Sequence, residues 1–110
     1  MIARTWKATL DLARVDEYEE FARSVSLPMF RQQPGYVGVV MSRSGSTCLV
    51  TSFWRSMDDV EMLERSASYQ EVVRGILSAG FLTDTKAAEV AEVHLADWKD
   101  VGPGGTLPSS

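Results

Sequence analysis

Over residues 1–10 the chain alternates, with Ile2, Arg4, Trp6, Ala8 and Leu10 on one side and Ala3, Thr5, Lys7 and Thr9 on the other. A period of two places these residues on a β-strand. One side is mostly apolar, but Arg4 interrupts it. A charge on the packed face needs a partner or a wet cavity; alternatively it sits at a frayed strand end and reaches solvent. From Arg14 the period changes. Val15, Tyr18, Ala22, Val25 and Met29 recur at helical spacing, with Phe21 beside them and Asp16, Glu17, Glu19, Glu20 and Arg23 opposite. That pattern predicts an amphipathic helix. Pro28 lacks a backbone donor and should kink or end it near Val25. Gln32-Gln33-Pro34-Gly35 reads as a turn.

Residues 36–43 form a second predicted strand, with Val37, Val39 and Met41 on one side and Val40 on the other; Gly38 suggests a bulge. Ser44-Gly45-Ser46 is a short polar connection to a third strand over residues 47–55, so the two make a hairpin. Ser56 then stands three residues before Asp59, the spacing of a helix N-cap, and Asp58, Asp59 and Glu61 suit the positive end of the helix dipole. This helix pauses at Ser66-Ala67-Ser68. Ser68 and Glu71 repeat the cap spacing and predict a second piece carrying Tyr69, Val72, Val73, Ile76 and Leu77, stopped at Gly80. Residues 81–86 read as a loop, and the stretch from Ala87 to Trp98 becomes strand-like from about Glu89.

The order strand, helix, strand, strand, broken helix, strand is that of an α+β, ferredoxin-like split βαβ fold: a four-stranded antiparallel sheet with helices on one face. The other face is partly apolar too, since Val40, Ala91, Val93 and Leu95 need cover. A second copy packed on that face, as a homodimer, is the economical solution. The domain spans residues 1–98. Residues 99–110, rich in Gly, Pro and Ser, are expected to form a flexible tail.

Composition narrows the partners. At 110 residues the chain is long enough for one core without staples. Its net charge of −4 argues against nucleic acid or an anionic membrane. No apolar run approaches membrane-spanning length and no signal peptide is evident. The single cysteine, Cys48, allows no internal disulfide, and a cytoplasmic location is the simplest expectation. One His and one Cys far apart give no metal-ligand spacing. There is no Gly-rich phosphate loop, nucleophile elbow or flavin motif, so no cofactor is expected.

Three stretches make the chain resemble the antibiotic biosynthesis monooxygenase family of dimeric α+β barrels. The first is Arg4-Thr5-Trp6. The second is Gln33-Pro34-Gly35-Tyr36-Val37-Gly38, similar to the family's Pro-Gly-aromatic-x-Gly signature. The third is Trp54-Arg55-Ser56 followed by Ser68-Tyr69-Gln70, similar to its Trp-x-Ser helix start and downstream Ser-aromatic segment. The likeness covers roughly residues 1–98. It implies a pocket in each subunit between the sheet and its own helices, and a small aromatic ligand. Family members include cofactor-independent oxygenases of anthrones and quinols, and haem-degrading enzymes. The latter keep an Asn, a Trp and a His at places near Trp6, Leu63 and Val73 here. None matches, so haem degradation is not expected.

An oxygenase of this kind would act by positioning, proton transfer and oxyanion stabilisation. His94 is the natural base on pKa grounds; otherwise it is a surface or dimer-face residue. Tyr69 could hydrogen-bond a substrate oxygen, or simply belong to the helix stripe. Arg4 could hold an anionic oxygen. Trp6 and Trp54 could stack on a flat ligand, although a tryptophan at a strand–helix corner commonly fills core. Met41 suits either adaptable core or a loosely shaped apolar pocket. A non-catalytic binding or assembly module is the alternative, as is an isomerase or decarboxylase that does not use oxygen.

Overall fold

The computed structural model describes residues 1–99, and all but the first residue of the expected tail lies outside them. Strand β1 (Ile2–Leu10) leads through a 3₁₀ turn (Leu12–Arg14), capped by Asp11, into a helical rod. The rod comprises α1 (Val15–Phe21), a π-helical segment (Ala22–Ser26) and α2 (Leu27–Arg31). Strands β2 (Tyr36–Ser44) and β3 (Thr47–Trp54) follow, then α3 (Met57–Arg65), α4 (Ala67–Ser78), β4 (Leu82–Thr85) and β5 (Glu89–Glu92). The sheet is antiparallel in the order β2-β3-β1-β4, and β5 also pairs with β1. This is the ferredoxin-like α+β fold.

The fourth strand is split. β4 pairs with β1 at Ala8–Leu10 and β5 pairs with it at Ile2–Thr5. Residues 81–86 are therefore mostly strand, not loop. Of β4 only Leu82 is partly buried, so this edge strand is held by backbone pairing and shows no two-residue apolar period. The final strand ends at Glu92, short of Trp98.

The rod differs from expectation in a consistent way. The buried positions are Tyr18, Ala22, Ser26 and Phe30, with Met29, whereas Val25 is exposed. A strict four-residue repeat drifts around a 3.6-residue helix; the wider π turn restores its phase. Leu27 N–H bonds to Ala22 O, five residues back. Pro28 then falls in the first turn of α2, where its missing N–H is tolerated. The helix passes Pro28 and runs on to Arg31.

Turn and cap chemistry fix the corners. The two-residue Gly45-Ser46 turn closes the β2–β3 hairpin with Gly45 at φ +57°. The register shifts between Tyr36 and Gly38, so Val37 is a bulge residue and exposed. Ser56 Oγ accepts from Asp59 N–H at 3.3 Å. The cap of α4 is Ser66, which accepts from Tyr69 N–H at 3.4 Å. Ser68 instead accepts from Gln33 Nε2 at 2.9 Å, tying the turn before β2 to α4.

Two apolar clusters fill the space between sheet and helices. One contains Leu10, Tyr18, Cys48, Ile76 and Phe81. The other contains Met29, Phe30, Trp54, Val60 and Leu63.

Candidate functional site

Between these clusters lies a cavity of about 50 Å³. Its floor is set by register. Trp6, Val50 and Met41 form one row across β1, β3 and β2, pointing toward the helices, and Arg4 stands one inward position along β1. The rod contributes Tyr18, Ala22, Ser26, Met29 and Phe30. Helix α4 contributes Tyr69, Val72, Val73 and Ile76, which share one face at helical spacing. Ala22 and Met41 also line an open groove along β2, so the wall is one side chain thick there.

Arg4 is 6% exposed. Its Nη2 donates to Tyr69 Oη at 2.9 Å and its Nε to Glu64 Oε2 at 3.3 Å. Glu64 is half exposed at the rim. The buried guanidinium therefore has a counter-charge, as burial of a cation requires. Arg4 Nη1 makes no hydrogen bond among the described residues, and no buried polar atom among them lacks a partner. It follows that Nη1 meets accessible space. Because Tyr69 accepts from Arg4, its own hydroxyl hydrogen remains available to a ligand. Among the described residues, the lining holds no carboxylate and no imidazole.

Burial raises the Tyr18 phenol above its ordinary value of 10.0, and burial likewise raises the nearby Cys48 thiol above 9.0. At neutral pH Tyr18 is thus a neutral hydroxyl and Cys48 a packed thiol, not a nucleophile. Among the described residues, no group of three or more His, Cys, Asp or Glu is placed to hold a metal ion, and no helix is long and apolar enough to cross a membrane.

Of the residues singled out in the sequence, Arg4, Trp6, Met41 and Tyr69 converge on the cavity. Trp54 does not. It is fully buried between Phe30 and Tyr36, and its Nε1 donates to Ser52 Oγ at 2.8 Å. Ser52 in turn donates to Arg4 O at 3.4 Å, so Trp54 braces the strand bearing Arg4 without reaching the cavity. His94 is exposed beyond the end of β5 and is not part of the lining. The sequence reading missed Ser26 altogether. The Tyr18-Ala22-Ser26-Phe30 repeat was its only signal, and it competes with the more apolar choice of Val25.

No protein-family model matches the chain, and no curated protein matches it. Solved structures do. HapK from Hahella chejuensis aligns with a TM-score of 0.75 at 10% identity, covering 91% of this chain and 99% of that one. A candidate antibiotic biosynthesis monooxygenase from Deinococcus radiodurans aligns at 0.72 and 14% identity, covering 91% and 99%. A variant of SnoaB, a cofactor-independent oxygenase from Streptomyces nogalater, aligns at 0.68 and 14% identity, covering 86% and 94%. At such identities the likeness establishes the fold, shared with proteins named as candidate antibiotic biosynthesis monooxygenases and with one named as a cofactor-independent oxygenase.

Proposed function

We propose that this protein is a cofactor-independent monooxygenase of a small, electron-rich aromatic such as an anthrone or quinol. The observation that carries the reading is the Arg4–Tyr69 pair on the wall of a largely apolar cavity. Arg4 Nη1 and the Tyr69 O–H hold the oxygen of the ionised substrate. The aromatic anion gives electrons to O₂. For an anthrone the reacting CH₂ becomes a carbonyl, one oxygen atom enters the product and the other leaves as water. The substrate is the reductant, so atoms and electrons balance without a further donor. The fold shared with SnoaB, itself named as a cofactor-independent oxygenase, supports the same reading.

A cavity of about 50 Å³ has room for roughly four waters, by the volume one water probe needs. A two- or three-ring substrate therefore requires the rod to move off the sheet. Met29 and Met41 supply adaptable walls. The protein works as a soluble homodimer, closing its open sheet face against a second copy. The test is oxygen uptake by the purified protein with a panel of anthrones and quinols and no added cofactor. Uptake above the protein-free rate, abolished by boiling, is expected; none across the panel overturns the oxygenase reading.

One observation favours a second reading. With no carboxylate or imidazole in the described lining, the chain could be a binding module, or an enzyme whose substrate needs no strong base. In that case a panel member raises the melting temperature without consuming oxygen.

A further inference from the structure

Ser26 occupies a position of the rod that packing would fill with an apolar side chain. Its neighbours in the four-residue repeat are Tyr18, Ala22 and Phe30, all buried. Ser26 is itself only 8% exposed and lines the cavity. A serine inside a helix ordinarily returns its hydroxyl to the carbonyl four residues back. Here Ser26 Oγ makes no such bond, nor any other hydrogen bond among the described residues. Since no buried polar atom among them lacks a partner, the hydroxyl meets accessible space, and Ser26 is among the residues that line the cavity. Before a ligand binds, that hydroxyl can pair with water, so an occupant that displaces the water must supply a polar atom in its place or leave the group unsatisfied. π segments inside helices recur at functional sites, and this one sets the phase that brings Ser26 inward.

We propose that Ser26 is a ligand-anchoring residue: its hydroxyl, in the helical roof of the cavity, binds a second oxygen of an occupant whose first oxygen is held by Arg4 and Tyr69 on the other elements. The site then selects flat, mainly apolar molecules carrying two separated oxygen functions over those carrying one. This rests on reading the cavity as an aromatic-ligand site, but not on any reaction with oxygen.

Calorimetric titration of the full chain with 2-naphthol, and with 2,6- and 2,7-dihydroxynaphthalene, tests it. The wild type should bind the better diol about fivefold more tightly than 2-naphthol, the worth of one neutral hydrogen bond. Ser26→Ala, a change that favours helix, should abolish that preference while leaving 2-naphthol affinity unchanged and the melting temperature equal or higher. A merely structural serine would move both ligands together. Equal loss for both, or an unaltered preference, overturns the assignment of Ser26 alone. No binding of any probe by the wild type overturns the cavity as an aromatic site, and this proposal with it.

Discussion

Trp54 shows how a single residue organises the site without entering it. Its indole fills the core beneath α3 and its N–H bonds Ser52, which bonds the Arg4 carbonyl. Trp54→Ala should therefore lose about 3–5 kcal/mol of stability, as large-to-small changes in cores do. Urea unfolding checks this; a loss below about 1 kcal/mol would show that the indole is not structural. The large aromatic at the strand–helix corner was legible in the sequence, but its role was not, because periodicity gives a residue's face and not what fills the space above it. Arg4 was the more informative signal. A charge on the apolar side of a strand demanded a partner, and the structure provides Glu64 and Tyr69. Those partners are 60 and 65 residues away along the chain, so local spacing could not name them.

At the scale of elements, caps and turns were read well where the determinant is local, as in the Ser56 cap and the positive φ of Gly45. They were read poorly where a tertiary contact competes. Ser68 has cap spacing to Glu71, yet Gln33 takes its hydroxyl and Ser66 caps α4 instead. β4 was missed because an edge strand needs only backbone pairing. The π turn was missed because neither Val25 nor Ser26 violates a helical pattern. The turn at Gly35 joins two elements: its φ is +77°, its carbonyl accepts from Arg55 N–H at 3.0 Å, and a Cβ there would overlap the Asp59 carboxyl. Gly35→Ala should thus cost about 1–2 kcal/mol for the left-handed backbone alone, and more if Asp59 must leave Ser56. Thermal unfolding of this variant beside Gly45→Ala separates the effects, since a Cβ at Gly45 meets open space. Equal losses would contradict the contact.

For the whole molecule, the sheet has one covered and one open face. The open face carries Val40, Phe53 and Ala91. Trp98 packs edge-on against Phe53 at 5.8 Å while remaining 61% exposed, and Leu95 is 82% exposed. Apolar groups placed so are expected to meet a second copy. Sedimentation should give twice the 12.2 kDa chain mass at micromolar concentration, and Leu95→Asp should return the monomer with its helical signal intact. A wild type that stays monomeric would contradict the dimer. The incomplete alternation that marks this face is visible in the sequence; the cavity is not, because it arises where two core clusters fail to meet. The proposed function places Arg4 and Tyr69 on the oxygen of an aromatic held in that cavity. Initial oxygen uptake with an anthrone, measured for wild type and Tyr69→Phe side by side, tests it most directly. Rapid uptake by the wild type is expected, with a fall on the order of 100-fold in the variant, the usual cost of losing one oxyanion donor, while the variant stays folded at the assay temperature, its melting temperature lowered only by the loss of one partner of Arg4. Equal rates for the two proteins would contradict it.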